Sequence, residues 1–174
     1  MSNIGLIQIY TGDGKGKTTA ALGLALRALG WNKKVCIIQF VKGDKEIGEI
    51  KISKSHIPQL SFHQLSNNKK FILKANKKDK EIAQKTWEFA KKEIFSNKFD
   101  LIILDEINVA INLKLIDLKD LFKVFKNKPQ KLELVLTGRN ASKKLIKKAD
   151  LVTEMKMIKH PFYKKIPARK GIEY

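Results

Sequence analysis

Three observations predict an α/β fold with a mainly parallel sheet flanked by helices. Short apolar runs alternate with amphipathic stretches along the 174 residues. The runs are apolar at consecutive positions, as strands covered on both faces must be. The first run also leads through a glycine-rich loop straight into a helix-forming segment.

In chain order, "IGLIQIYT" (Ile4–Thr11) reads as a buried strand ending at the loop. Lys17 to Leu29 has helix-forming composition, with Gly30 as its stop. "KVCIIQFV" (Lys34–Val41) is a second buried strand, and "QLSFHQL" (Gln59–Leu65) a short third. Lys78 to Phe95 has helical spacing, offering Ile82, Trp87, Ala90 and Ile94 to a core. "LIILDE" (Leu101–Glu106) is an apolar strand that ends in carboxylates. Leu118 to Phe125 then reads as a helix, "LELVLTG" (Leu132–Gly138) as a strand, and Ser142 to Ala149 as a short helix capped by Ser142. "LVTEMKMI" (Leu151–Ile158) closes the series. The least regular region is Lys42 to Lys77, long enough to suggest a functional loop.

Length and an apolar content of 43% fit one globular domain, residues 1–174. No apolar run approaches a membrane span, and "MSNIGLIQIY" lacks the features of a secretory signal. Cys36 stands alone, so no disulfide framework is expected, and the location expected is cytoplasmic. The formal charge of +19 raises nucleic-acid binding as an alternative. Against it, only Arg27, Arg139 and Arg169 are arginine, and the lysines are scattered without interleaved aromatics. A solvated lysine surface is the favoured reading, with no nucleic-acid partner. His56, His63 and His160 are dispersed, with no metal-ligand spacing.

The chemistry concentrates in "TGDGKGKTT". Gly12, Gly14 and Gly16 allow the backbone of Asp13, Lys15 and their neighbours to curl, so that successive N–H groups converge on an anion. Lys17 adds a cation for terminal phosphates, Thr18 a hydroxyl for Mg²⁺, and Thr19 continues the helix start that favours negative charge. The general P-loop pattern would have glycine where Thr11 stands. Asp105 and Glu106, at the end of a later strand, occupy the position of metal-holding carboxylates. Together these features point to a Mg-nucleotide site and leave the reaction open: an ATPase or kinase would use the same parts.

Several segments in order resemble the P-loop type ATP:cob(I)alamin (corrinoid) adenosyltransferases. They are "YTGDGKGKTTAALGLALRALG", "IIQFVKG", "LIILDEIN", "LTGRNA", "ADLVTEM" and "KHPFYKKIPARKGIEY". In that family Thr11 is the normal residue. The resemblance implies a RecA-like P-loop fold and attack of corrinoid Co(I) on C5′ of ATP, with release of triphosphate. It implies that Gly12, Asp13, Gly14, Lys15, Gly16, Lys17, Thr18 and Thr19 cradle the triphosphate, with Lys17 and Glu106 as the catalytic pair. It also implies Mg²⁺ held by Thr18 and Glu106, with Asp105 as outer partner, and Arg139 supporting a phosphate or a loop. A homodimer and a flavodoxin-like reductant are further expectations. Relatives carry a Gly-Phe-Thr-Trp stretch against the lower corrinoid face. Here "SNNKKFILKAN" replaces it, with Lys69 at the Phe position and Phe71 as the one aromatic left to contact corrinoid.

Overall fold

The computed structural model describes residues 4–41, 43–44, 46–55, 57–66 and 75–173. The elements are β1 (Ile7–Thr11), α1 (Lys17–Gly30), β2 (Val35–Gln39), α2 (Gly48–Ser55), β3 (Leu60–Gln64) and α3 (Lys77–Ile94). They continue with β4 (Leu101–Asp105), α4 (Ile107–Asn112), α5 (Leu118–Asn127), β5 (Glu133–Thr137), α6 (Lys143–Ile146) and β6 (Leu151–Glu154). A 3₁₀ turn spans Pro161–Lys164.

The six strands form one parallel sheet in the order β3-β2-β4-β5-β1-β6. Side-chain alternation divides its core in two. Ile9, Cys36, Ile38, Ile102, Leu104, Leu134 and Leu136 point to one face, with Trp87 and Ala90 of α3 and Leu121 of α5. Val35, Ile37, Leu101, Ile103 and Val135 point to the other, against Ala21 and Ala25 of α1. The small residues of α1 let it lie close over the sheet, which carries its N-terminus toward the end of β4.

Helix starts follow local chemistry. Asn76 caps α3 in a reciprocal box: Asp79 N–H donates to Asn76 Oδ1, and Asn76 N–H to Asp79 Oδ2, each at 3.0 Å. Ser142 caps α6 as expected, its Oγ accepting from Leu145 N–H. The expected stop at Gly30 is corrected: α1 runs through Gly30, and the left-handed residue is Asn32, with φ 56°. Asparagine tolerates that region better than most side chains, so the turn does not need the glycine.

Two helices, α2 and α4, form where the sequence pattern predicts none. In α2, Ile50 is buried and Ile52 exposed, which breaks a simple helical stripe. In α4, Ile107, Asn108, Val109 and Ala110 are all buried, so no amphipathic period exists to read. The expectation of strands covered on both faces also fails at one edge. All four residues of β6 are exposed, and among the described residues β6 pairs with β1 alone.

Candidate functional site

Each strand of the sheet ends on a polar side chain: Thr11, Gln39, Gln64, Asp105, Thr137 and Glu154. In a parallel sheet these ends share one edge, the usual place for a ligand in open α/β proteins. The register sharpens the alignment, since Gln39 is paired with Gln64 on one side and with Asp105 on the other.

A hydrogen-bonded row results. Asp105 Oδ1 accepts from Thr18 Oγ1 at 2.8 Å and from Thr137 Oγ1 at 2.6 Å. Its Oδ2 accepts from Gln39 Nε2 at 2.8 Å. Gln39 Oε1 in turn accepts from Gln64 Nε2 at 2.6 Å, and the same Nε2 donates to the Asp44 carbonyl at 3.2 Å. Thr137 Oγ1 receives the Glu106 N–H at 2.9 Å. The ends of β3, β2, β4 and β5 are thus tied to the first turn of α1.

The glycine loop lies beside this row. Gly12 and Gly16 have φ of 97° and 118°, left-handed values that favour glycine. A Cβ on Gly12 or Gly14 would fall 2.5 or 2.7 Å from the Met155 carbonyl. That carbonyl accepts the Gly14 N–H at 2.7 Å, and Met155 N–H donates to Thr11 O at 2.8 Å. The segment after β6 therefore braces the loop from behind. Lys17 is buried, and its Nζ donates to the Gly14 carbonyl at 2.6 Å. Thr11 Oγ1 accepts from Ala141 N–H at 3.1 Å, joining the loop after β5 to the end of β1.

A cleft of about 590 Å³ opens over these groups. Asp13, Gly14, Lys15, Gly16, Lys17, Thr18 and Thr19 line it, with Glu106 and Arg139 across from them. Gly12 and Asp105 are not in its wall. Asp105 is 1% exposed and sits behind Thr18, with both oxygens engaged. Glu106, at φ 61°, turns the chain sharply between β4 and α4. Gly138, at φ 126°, leaves room there: a Cβ would lie 3.2 Å from Glu106 Oε2. Phe71 and Lys69 lie outside the described residues.

Sequence reasoning missed Gln39, Gln64, Thr137 and the tail residues His160, Ala168 and Glu173, most of which line the cleft. Lys15 Nζ meets Glu173 Oε1 at 3.0 Å. Glu173 also accepts from the Arg169 guanidinium and backbone N–H, and those bonds with Lys15 hold its carboxyl down at about 2. Cys36 is buried in β2, and burial pushes its thiol up to about 12, which fits an inert core residue. Among the described residues no helix is long and apolar enough to cross a membrane.

The sequence profile of the family described as "ATP:corrinoid adenosyltransferase BtuR/CobO/CobP" matches residues 3–174. The chain belongs to the ATP:corrinoid adenosyltransferase family. It is 38% identical over 172 residues to a corrinoid adenosyltransferase of Sinorhizobium sp., covering 98% of this chain and 80% of that relative. It is 31% identical over 170 residues to the corrinoid adenosyltransferase of Escherichia coli K12, covering 98% and 86%. The Salmonella typhimurium corrinoid adenosyltransferase is 29% identical over 170 residues, with the same coverages. Membership of this adenosyltransferase family fits the all-parallel α/β architecture.

Proposed function

We propose that this protein transfers the 5′-deoxyadenosyl group of ATP to Co(I) of a corrinoid, forming a cobalt–carbon bond and releasing triphosphate. The observation that carries the reading is the cleft itself: a glycine loop with Lys17 and Thr18 faces Glu106 and Arg139 at the sheet edge, in a chain of this family.

The cleft contains oxygen donors of the kind Mg²⁺ takes, a hydroxyl on Thr18 and a carboxylate on Glu106. These two residues would hold the ion together with phosphate oxygens, and Asp105 would orient Thr18 from behind. Bound there, Mg²⁺ would supply charge neutralisation for the polyphosphate. Backbone N–H groups of the loop grip the phosphates, and Lys17 and Arg139 balance the charge of the departing triphosphate. The nucleophile is the reduced corrinoid, so no general base is required of the protein. Its task is to align C5′ with cobalt and keep the leaving group fixed.

A homodimer agrees with the exposed apolar side chains on and near the β6 edge, among them Leu6, Leu151 and Val152. The strongly positive surface would favour an acidic electron donor such as a flavodoxin-like reductant. Nucleic acid is not part of this reading, which locates the enzyme in the cytoplasm.

Product analysis tests the proposal. With Mg-ATP and chemically reduced cobalamin, triphosphate should appear in equal amount to adenosylated corrinoid, followed by the visible spectrum. ADP accumulating without adenosylcorrinoid would assign the cleft to ordinary phosphoryl transfer instead.

A further inference from the structure

Thr11, the last residue of β1, stands where a general P-loop has glycine. It is buried and lies outside the cleft wall. Its Oγ1 accepts the Ala141 N–H at 3.1 Å, which turns the hydroxyl toward the segment after β5. That segment, residues 138–141, carries Arg139 into the cleft wall.

Helix α4 holds the segment from another side. Gly138 and Asn140 have φ of 126° and 57°, and the curled chain presents three consecutive carbonyls to asparagine amides. Asn108 Nδ2 donates to Gly138 O at 3.1 Å. Asn112 Nδ2 donates to Arg139 O at 3.1 Å and to Asn140 O at 2.8 Å. The two asparagines are spaced i, i+4, which puts them on one face of α4. Carbonyls require the amide nitrogen there, since an oxygen would oppose them acceptor against acceptor. Asn108 meets that requirement even though its buried Oδ1 is left without a partner among the described residues. Because α4 is capped by Glu106, one short element ties that carboxylate to the backbone of Arg139.

A cation helps a departing anion only where it is held, and misplacement by about 1 Å can remove much of its effect. We propose that Thr11 and Asn112 are positioning residues for Arg139: they clip its loop from two sides and set the guanidinium for the polyphosphate. Neither lines the cleft, so they act through Arg139 and not on the ligand. The inference rests on the nucleotide reading of the cleft.

Calorimetric titration of the full chain with inorganic tripolyphosphate and Mg²⁺, without corrinoid, tests the clips. Asn112→Leu keeps the side chain's shape and removes its donors, and Thr11→Val removes the acceptor. Each should weaken binding about fivefold, the effect of one modest hydrogen bond, and Arg139→Ala should weaken it at least as much. In an Arg139→Ala background neither substitution should cause further loss, because residues that act through one contact do not add. Asn112 is exposed, so its variant should melt with the native protein, and it decides the question if the buried Thr11→Val change prevents folding. Full losses on top of Arg139→Ala would overturn the proposal, since the clips would then support the glycine loop or the fold at large. Unchanged affinity in Asn112→Leu would overturn it too. So would native affinity in Arg139→Ala, which would leave the phosphate reading of the glycine loop intact. Native protein that binds neither tripolyphosphate nor ATP would instead remove the nucleotide reading itself.

Discussion

Thr18 and Asp105 are joined by a 2.8 Å hydrogen bond that links the first turn of α1 to the end of β4. Because Asp105 also accepts from Thr137 and Gln39, it is the node through which the loop and three strands share one geometry. Asp105→Asn tests this node. The new amide could still accept from both threonines, but its nitrogen would oppose Gln39 Nε2, donor against donor. Gln39 would have to invert its amide, forcing Gln64 to invert as well and to lose the Asp44 carbonyl. We expect adenosylation to fall about 10- to 100-fold, with a higher Mg²⁺ requirement, the range found for residues that orient metal ligands. A turnover rate and metal titration matching the parent would detach Asp105 from the site.

Two glycines in and after the loop should respond in opposite directions. Gly14→Ala pushes a Cβ to 2.7 Å from the Met155 carbonyl and 2.9 Å from Lys156 backbone atoms, neither of which is a flexible side-chain end. We expect a loss of about 1–3 kcal/mol, lowering the melting temperature by several degrees. Gly23→Ala lies within α1, where a Cβ meets nothing within 4 Å. It should stabilise by about 0.5–1 kcal/mol, because alanine loses less backbone freedom in a helix. Thermal denaturation of both variants checks the contrast, and equal shifts would contradict it.

The extent to which the site was legible in sequence follows from how local its signals are. The glycine loop announces itself because its residues are contiguous, and "LIILDE" does so because carboxylates terminate an apolar run. Gln39 carries the same signal in weaker form, as the polar end of an apolar strand, whereas Gln64 ends a strand that already contains Ser61 and His63 and so does not stand out. Their importance depends on register across strands from distant parts of the chain. The brace from Met155 and the contact from Glu173 are longer-range still: both lie in segments that carry the family resemblance, but nothing local in those segments says what they touch. The central strands and α3 were found because their apolar spacing follows their burial, with one correction: Ala83, not Ile82, joins Trp87, Ala90 and Ile94 in the core. The edge strand β6 shows the reverse: "LVTE" reads as a strand, but nothing in the run says that it is uncovered.

Lys17 is the cation whose loss should matter most. It is buried beside the loop, with its Nζ on the Gly14 carbonyl, so it is already held where phosphates would lie. Lys17→Ala removes that charge both when polyphosphate binds and when it departs. We expect adenosylation to drop by at least about 100-fold, comparable to removing a leading electrostatic contact in other enzymes. Circular dichroism should show the native fold retained. Turnover near the parent level would take the loop out of the mechanism.

Glu173 presents a carboxylate that reaches Lys15, and it does so inside a cleft read as binding polyanions. Its carboxyl is held down at about 2, first by the Arg169 guanidinium, then by the Arg169 backbone and by Lys15. A folded-state value below the ordinary 4.5 means that this contact contributes fully above that pH and is lost as the pH falls toward 2. Carboxyl titration by NMR should therefore find Glu173 ionised through pH 4, with the tail contact intact. At pH 7 the charge has a second consequence, since it competes with phosphate for Lys15. Glu173→Gln should tighten ATP binding about two- to fivefold at low ionic strength, and the gain should shrink at high salt because both groups are partly solvated. Weaker binding in the variant would reverse the interpretation: Glu173 would then be positioning Lys15 for the ligand, and the tail contact would persist in the nucleotide complex.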